Sequence, residues 1–318
     1  MQHFQQINRA FAQTFAPSRL TIGLVVPLEA HANDPVPTLE RHVERARLAD
    51  QLGFAALWLR DVPFNVPSFG DAGQTFDPFV YLGALSSVTE NIALGVASVI
   101  LPLRHPAHVA KAGASVDVLS GGRLLLGIAS GDRPQEYPAM NMDFLHRGHR
   151  FRDSFDYIRS MADNYPHVDR DQGHLAGDAD MLPKPVGGRL PLIVTAGAQQ
   201  APDWIAENCD GWMTYPRDAH AQGRVVADFR QRVAAFGGPD KPVMQSLYID
   251  LQDEPGAMPR AIHLGFSSGV DFLKDYLRQL QHLGINHVAL NLRFNRADVE
   301  QTMQRLADEL FPEFNTTS

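Results

Sequence analysis

Cysteine is almost missing from this 318-residue chain, where Cys209 stands alone. A single thiol cannot form an intramolecular disulfide, so no covalent framework holds the fold. Cys209 precedes the apolar stretch 211–214 and reads as a small buried hydrophobe rather than a nucleophile. No run reaches the roughly 18 apolar residues that a membrane span requires. Residues 1–17 are polar with scattered Phe4, Ile7, Phe11 and Phe15. They lack the apolar core of a signal peptide and suit an amphipathic arm packed on the body. A cytoplasmic location is expected. Positive charge is also in deficit: 28 Lys and Arg against 36 Asp and Glu give a net charge of -8. That argues against a general nucleic-acid or anionic-membrane surface. A local phosphate site made of backbone N–H groups needs no such excess. Neither G-x-G-x-x-G nor a P-loop occurs, which counts against a Rossmann dinucleotide site and a phosphate-transfer enzyme.

What the chain does have is a regular alternation, clearest over 91–132. Ile92, Ala93, Leu94, Val96 and Val99 form a near-continuous apolar run, as in a strand buried on both faces. Pro106 suits a first helical turn, Val109, Ala112, Val116 and Leu119 recur at helical spacing, and Gly121-Gly122 can stop the helix. Leu124, Leu125, Leu126 and Ile128 supply the next strand. This is a βαβ unit, so the strands should be parallel with a right-handed crossover. Further strands are expected at 20–26, 55–59, 191–195, 210–214, 243–250 and 287–292, with helices between them. The first helix is expected to start among residues 34–38. Eight strand–helix units predict a (β/α)8 TIM barrel with insertion loops at the C-terminal ends of the strands; an open doubly wound sheet is the alternative. The expected organisation is an arm over 1–19, one domain over 20–311 and a tail over 312–318.

In a barrel, sites sit on the loops that follow the strands. Residues 196–200 run from strand directly into helix, so their N–H groups could cradle a phosphate or simply make a tight turn. Ser130-Gly131-Asp132 closes the fourth strand without bulk, which either lets a flat ligand approach the backbone or serves a turn. Arg147 and Arg150, just before the fourth helix, could supply a cation. Residues 60–77, 132–148, 164–189 and 251–269 are long loops of the kind that cover sites. Gly265-Phe266-Ser267-Ser268-Gly269 matches the G-x-S-x-G elbow, but 260–264 is a poor strand and the match falls where a helix wants a serine cap. A serine hydrolase is therefore the last of the readings. The His105/His108 and His146/His149 pairs have no carboxylate or cysteine at ligand spacing, so no metal site is expected.

Two stretches carry a family resemblance. Residues 95–106, GVASVILPLRHP, and 117–131, DVLSGGRLLLGIASG, resemble the bacterial-luciferase-like flavin monooxygenase family. The second is similar to its D-x-x-S-x-G-R-x-x-x-G-x-x-x-G pattern. Matches at 49–54 with Leu57-Trp58, at Arg147-Gly148, 182–185, 191–197 and 210–212 extend the likeness from about 20 to 310. Residues 58–73 are similar to a luciferase-type oxidoreductase subgroup of unassigned substrate. The resemblance implies a TIM barrel that binds reduced FMN, delivered by a partner reductase, or the deazaflavin F420. Carried over by position, Ala97-Ser98 match the family's non-prolyl cis peptide beneath the isoalloxazine. Ser130 and Gly131 match flavin-edge and phosphate-side positions, and Gly197 and Ala198 the phosphate turn, with Gln199 and Arg147 beside them. The family often has a His, or an Asp-His pair, after strand two, where this chain has Arg60-Asp61-Val62-Pro63. Asp61 is left to orient flavin or substrate or to act as a base, and light emission is not expected. The implied activity is a two-component monooxygenase using FMNH2 and O2 on a small organic substrate. An F420-dependent dehydrogenase or reductase, or a non-catalytic flavin-binding protein, are the alternatives. A homodimer packed through the early helices is also implied.

Overall fold

The computed structural model describes residues 4–315, and in it eight parallel strands close into a ring. They are β1 (Thr21–Val25), β2 (Ala56–Leu59), β3 (Ala93–Ile100), β4 (Leu124–Ala129), β5 (Leu192–Thr195), β6 (Gly211–Thr214), β7 (Val243–Leu251) and β8 (His287–Asn291). Each pairs with the next, and β8 returns to β1 with Thr21 opposite His287 and Leu24 opposite Leu290. The helices α1 (His42–Leu52), α2 (Pro78–Ser86), α3 (Pro106–Leu119), α4 (Arg147–Ser160), α5 (Pro202–Asn208), α6 (Ala219–Ala235), α7 (Val270–His282) and α8 (Val299–Leu310) follow the strands in turn. The barrel is thus realised, and the open sheet is excluded by its closure.

Strand alternation divides the core into two layers. Outward side chains such as Ile22, Leu24, Leu57, Leu126 and Val194 pack with the helices. Inward ones, among them Val25, Trp58, Leu125, Ile193 and Met213, fill the barrel together with Phe4, Ile7, Phe11 and Phe15 of the arm. The arm's short helix Arg9–Thr14 therefore plugs the N-terminal end of the barrel. Asn8 fastens it: Nδ2 donates to Asp117 Oδ1 (2.9 Å) and to the Leu124 carbonyl (2.8 Å), while Oδ1 accepts from the Phe11 N–H. Trp58 fits inside because Gly95 lies beside it; a Cβ there would stand 2.4 Å from the indole Cε3. At the other end of the chain Phe314 is buried, and Asn315 Oδ1 accepts the Ile22 N–H.

A polar chain crosses this apolar interior. Trp58 Nε1 donates to His287 Nε2 at 2.8 Å. An indole nitrogen can only donate, so Nε2 is the acceptor and the imidazole proton lies on Nδ1. Nδ1 donates to Thr21 Oγ1 (2.7 Å), whose hydroxyl donates to the Thr14 carbonyl (2.7 Å). Burial pushes the His287 pKa down to about 3, so the ring is neutral.

Five local expectations are corrected. The first barrel helix starts at His42 rather than within 34–38, because Leu39 and Arg41 take left-handed backbone (φ 56° and 55°). The 38–39 N–H groups are instead held by Glu29. The 164–189 loop contains a hairpin, His167–Arg170 with Gly173–Ala176. Residues 260–264 are not a poor strand: Arg260–Ile262 and Gly265–Ser268 form a hairpin that extends β7. The cap of α7 is Gly269 rather than a serine. Finally, α5 begins at Pro202, so the 196–200 turn does not run straight into a helix.

Candidate active site

The C-terminal mouth of the barrel opens into a cleft of about 430 Å³, within the usual range for a small-molecule site. Asp61, Ala97, Ser98, Ser130, Gly131, Arg147, Gly197, Ala198 and Gln199 all line it. Residues up to 138 positions apart in sequence thus meet at the ends of β2 to β5 because those strands are neighbours in the ring.

The floor is made of backbone. The Ala97–Ser98 peptide is cis, at the point where the β3–β4 register shifts between Val96 and Val99. Ser98 Oγ hydrogen-bonds Thr195 Oγ1, joining the ends of β3 and β5. Gly131 has φ 76°, and a Cβ there would lie 2.7 Å from Ile100 Cγ2 and 2.9 Å from the Tyr137 hydroxyl. That hydroxyl donates to the Ser130 carbonyl, and burial pushes its pKa up, so it remains a donor. The bare surface at 130–131 thus follows from two steric limits and one hydrogen bond.

One end of the cleft is built for an anion. Ala196, Ala198 and Gln199 have φ 50°, 42° and 58°, left-handed positions around Gly197 of the kind that can open a backbone concavity for an anion. Among the described residues, the Gly197, Ala198 and Gln199 N–H groups donate to no protein acceptor. Gly197 faces open space, since a Cβ there would meet nothing within 4 Å. The start of α4 packs against this turn, with the Gly148 Cβ position 2.9 Å from Gln199 Cβ and Gln200 Nε2 donating to the Gly148 carbonyl (2.8 Å). No side chain caps α4, whose first N–H groups set the positive end of the helix beside the turn. Arg147 completes the group: its guanidinium lies 3.7 Å from the Phe144 ring centroid and its buried Nε has no hydrogen-bond partner.

At the other end, carboxylates are mostly engaged. Asp61 is chelated by Arg104, with Nε to Oδ2 at 2.9 Å and Nη2 to Oδ1 at 2.7 Å, and accepts the Ile100 N–H at 3.1 Å. Arg104 also donates to Asp77 (2.8 Å), the N-cap of α2. Asp71 holds Arg60 (2.8 Å) and Arg293 (3.0 Å). Burial raises the Asp71 pKa, but Arg60, the Gly73 N–H and Arg293 together outweigh it and bring it below the ordinary value. Two residues that periodicity could not single out also line the cleft. Arg133 Nη1 lies 3.6 Å from Glu136 Oε1, and neither atom has a hydrogen bond. Burial pushes the Glu136 carboxyl up, against the pull of Arg133.

The remaining sequence candidates fall elsewhere. Arg150 Nε donates to the Pro102 carbonyl (2.7 Å) and Arg150 does not line the cleft. Ser267 is buried and donates to Asp250 Oδ2 (2.8 Å), a carboxylate rather than an imidazole. Among the described residues no group of three His, Cys, Asp or Glu could hold a metal ion, and no helix is long and apolar enough to cross a membrane.

Known proteins match this arrangement. The family model for luciferase-like monooxygenases matches residues 20–316. An uncharacterised protein of Mycobacterium tuberculosis is 31% identical over 236 residues, which is 69% of this chain and 82% of that protein. Among solved structures, an F420-dependent secondary alcohol dehydrogenase, in complex with an F420-acetone adduct, superposes with a TM-score of 0.74 at 16% identity, covering 92% of this chain and 98% of that one. The oxygenating constituent of 3,6-diketocamphane monooxygenase from Pseudomonas putida, in complex with FMN, superposes at 0.73 with 15% identity, covering 93% and 99%. At these identities the superpositions speak for a shared barrel.

Proposed function

Because the chain belongs to the luciferase-like monooxygenase family, we propose that it is a flavin-dependent oxidoreductase of the two-component monooxygenase type. It would take FMNH2 from a separate reductase and use it with O2 on a small organic substrate. One observation carries this reading above the others. A floor of small residues at Ala97-Ser98 and Ser130-Gly131 lies in the same cleft as a turn with three unpaired N–H groups and a cation. A flat ring system carrying a phosphate needs both features.

The residues present fit the group. The Gly197, Ala198 and Gln199 N–H groups and Arg147 would hold its phosphate, and Ala97, Ser98, Ser130 and Gly131 would support its ring. Reduced flavin, when bound, supplies the electrons and the reaction with oxygen. The protein's part is binding, orientation and exclusion of water. Asp61, its two oxygens engaged by Arg104 and the Ile100 N–H, serves as a positioning residue that fixes the end of β2 against β3. The loops 60–77, 132–148, 164–189 and 251–269 would wall the substrate. Family membership also implies a homodimer through the early helices; Val80 on α2 and Leu119 on α3 leave apolar surface available there.

The F420-dependent alternative uses the same barrel, as the structural relatives illustrate. Thermal melts with oxidised FMN and with F420 separate the two. FMN is expected to raise the melting temperature; a rise with F420 and none with FMN would transfer the assignment. Tight FMN binding with no oxidation of any compound in a broad panel would favour a flavin-binding protein.

A further inference from the structure

The cleft is electrically lopsided. The Arg60–Asp71–Arg293 and Asp61–Arg104–Asp77 triads carry opposite net charges and offset each other. Arg133 and Glu136 offset each other as a pair. Two charges remain: Arg147, beside the 196–199 turn, and Asp132, which is exposed, lines the cleft and has no ion-pair partner among the described residues. If Arg147 is taken up by the flavin phosphate, the space left for substrate carries a negative excess. Glu136 adds a second requirement. It is 2% exposed, lines the cleft, and its Oε1 accepts no hydrogen bond although it is buried. Its nearest donor, Arg133 Nη1, stands beyond hydrogen-bond reach at 3.6 Å, which is costly for a buried carboxylate oxygen, and a ligand O–H or N–H nearby relieves that cost. Phe69 and Tyr215, 41% and 45% exposed, supply apolar faces on the same cleft.

We propose, building on the flavin reading, that the substrate is a neutral or cationic compound, an alcohol or an amine on an apolar frame. It presents its donor to Glu136, and carboxylates are rejected. Three aromatic probes of one size test this: benzyl alcohol, benzylamine and benzoate, titrated by ligand-observed NMR into the free and the FMN-loaded protein. In the FMN-loaded protein benzoate is expected to bind about tenfold more weakly than benzylamine, as a like charge beside partly buried carboxylates demands; in the free protein Arg147 and the 196–199 turn attract benzoate and narrow the gap. Glu136→Gln and Asp132→Asn should each narrow that gap. Asp132 is exposed, so Asp132→Asn carries the test even where Glu136→Gln lowers the melting temperature. Benzoate binding as tightly as benzylamine, or a gap unchanged in both variants, overturns the proposal. So does the absence of binding by all three probes. Loss of the cofactor reading is seen separately, as failure of FMN fluorescence to respond to the protein, whereas failure of the head-group preference is read only where FMN is bound.

Discussion

Gly197 and His287 make opposite demands on their surroundings. At Gly197 an added Cβ meets nothing within 4 Å and its backbone is not left-handed, so Gly197→Ala should leave FMN affinity within about twofold. Gly197→Asp sets a carboxylate where the phosphate is proposed to sit and should abolish measurable binding in a fluorescence titration. Equal affinity for the two variants would remove the phosphate assignment. His287 is fully buried, and its protonated form has no place in the fold. Its folded pKa is depressed to about 3, while the unfolded chain takes up the proton near 6.5. The unfolded state therefore binds more protons in that window, so this contribution to stability is complete above about pH 6.5 and is lost as pH falls toward 3. Urea midpoints between pH 7.5 and 4 should drop less steeply for His287→Gln than for the parent, even though the variant starts lower.

At the scale of elements, the arm and the 60–77 loop are held by different forces. The arm is held by burial: Phe11 is 1% exposed inside the barrel. Phe11→Ala should cost about 3–5 kcal/mol, read as a shift in the denaturation midpoint. The loop is held by charge, since Arg104 bridges Asp61 at its start and Asp77 at its end. Asp61→Asn leaves a partly buried guanidinium without its main partner. It should increase proteolysis within 60–77 and weaken FMN binding severalfold while the barrel stays folded. The periodic pattern foretold the arm's amphipathic character from Phe4, Ile7, Phe11 and Phe15. The extra strand at 265–268 escaped it because Gly265, Ser267 and Ser268 have low strand propensity. Their pairing with β7 is imposed by the neighbouring strand's open edge.

For the whole molecule, the cofactor should behave as part of the fold. A ligand that binds only the native barrel at a hundredfold excess over its dissociation constant stabilises it by about 2.7 kcal/mol. FMN should accordingly raise the melting temperature by several degrees, in proportion to the logarithm of its concentration. The number and order of strand–helix units were legible in the sequence alone, because apolar period and glycine or proline punctuation are local properties of the chain. So were the small residues after the strands at Ser130-Gly131 and Gly197-Ala198, which are visible without coordinates, whereas Ala97-Ser98, inside β3, was reached only through the family resemblance. The tertiary structure alone decided who meets whom: Asp61 with Arg104 across 43 residues, Trp58 with His287 across 229, and Arg133 with Glu136 at the wall of the cleft. Closing β8 onto β1 brings distant strand ends to one mouth, and no local spacing along the chain contains that closure.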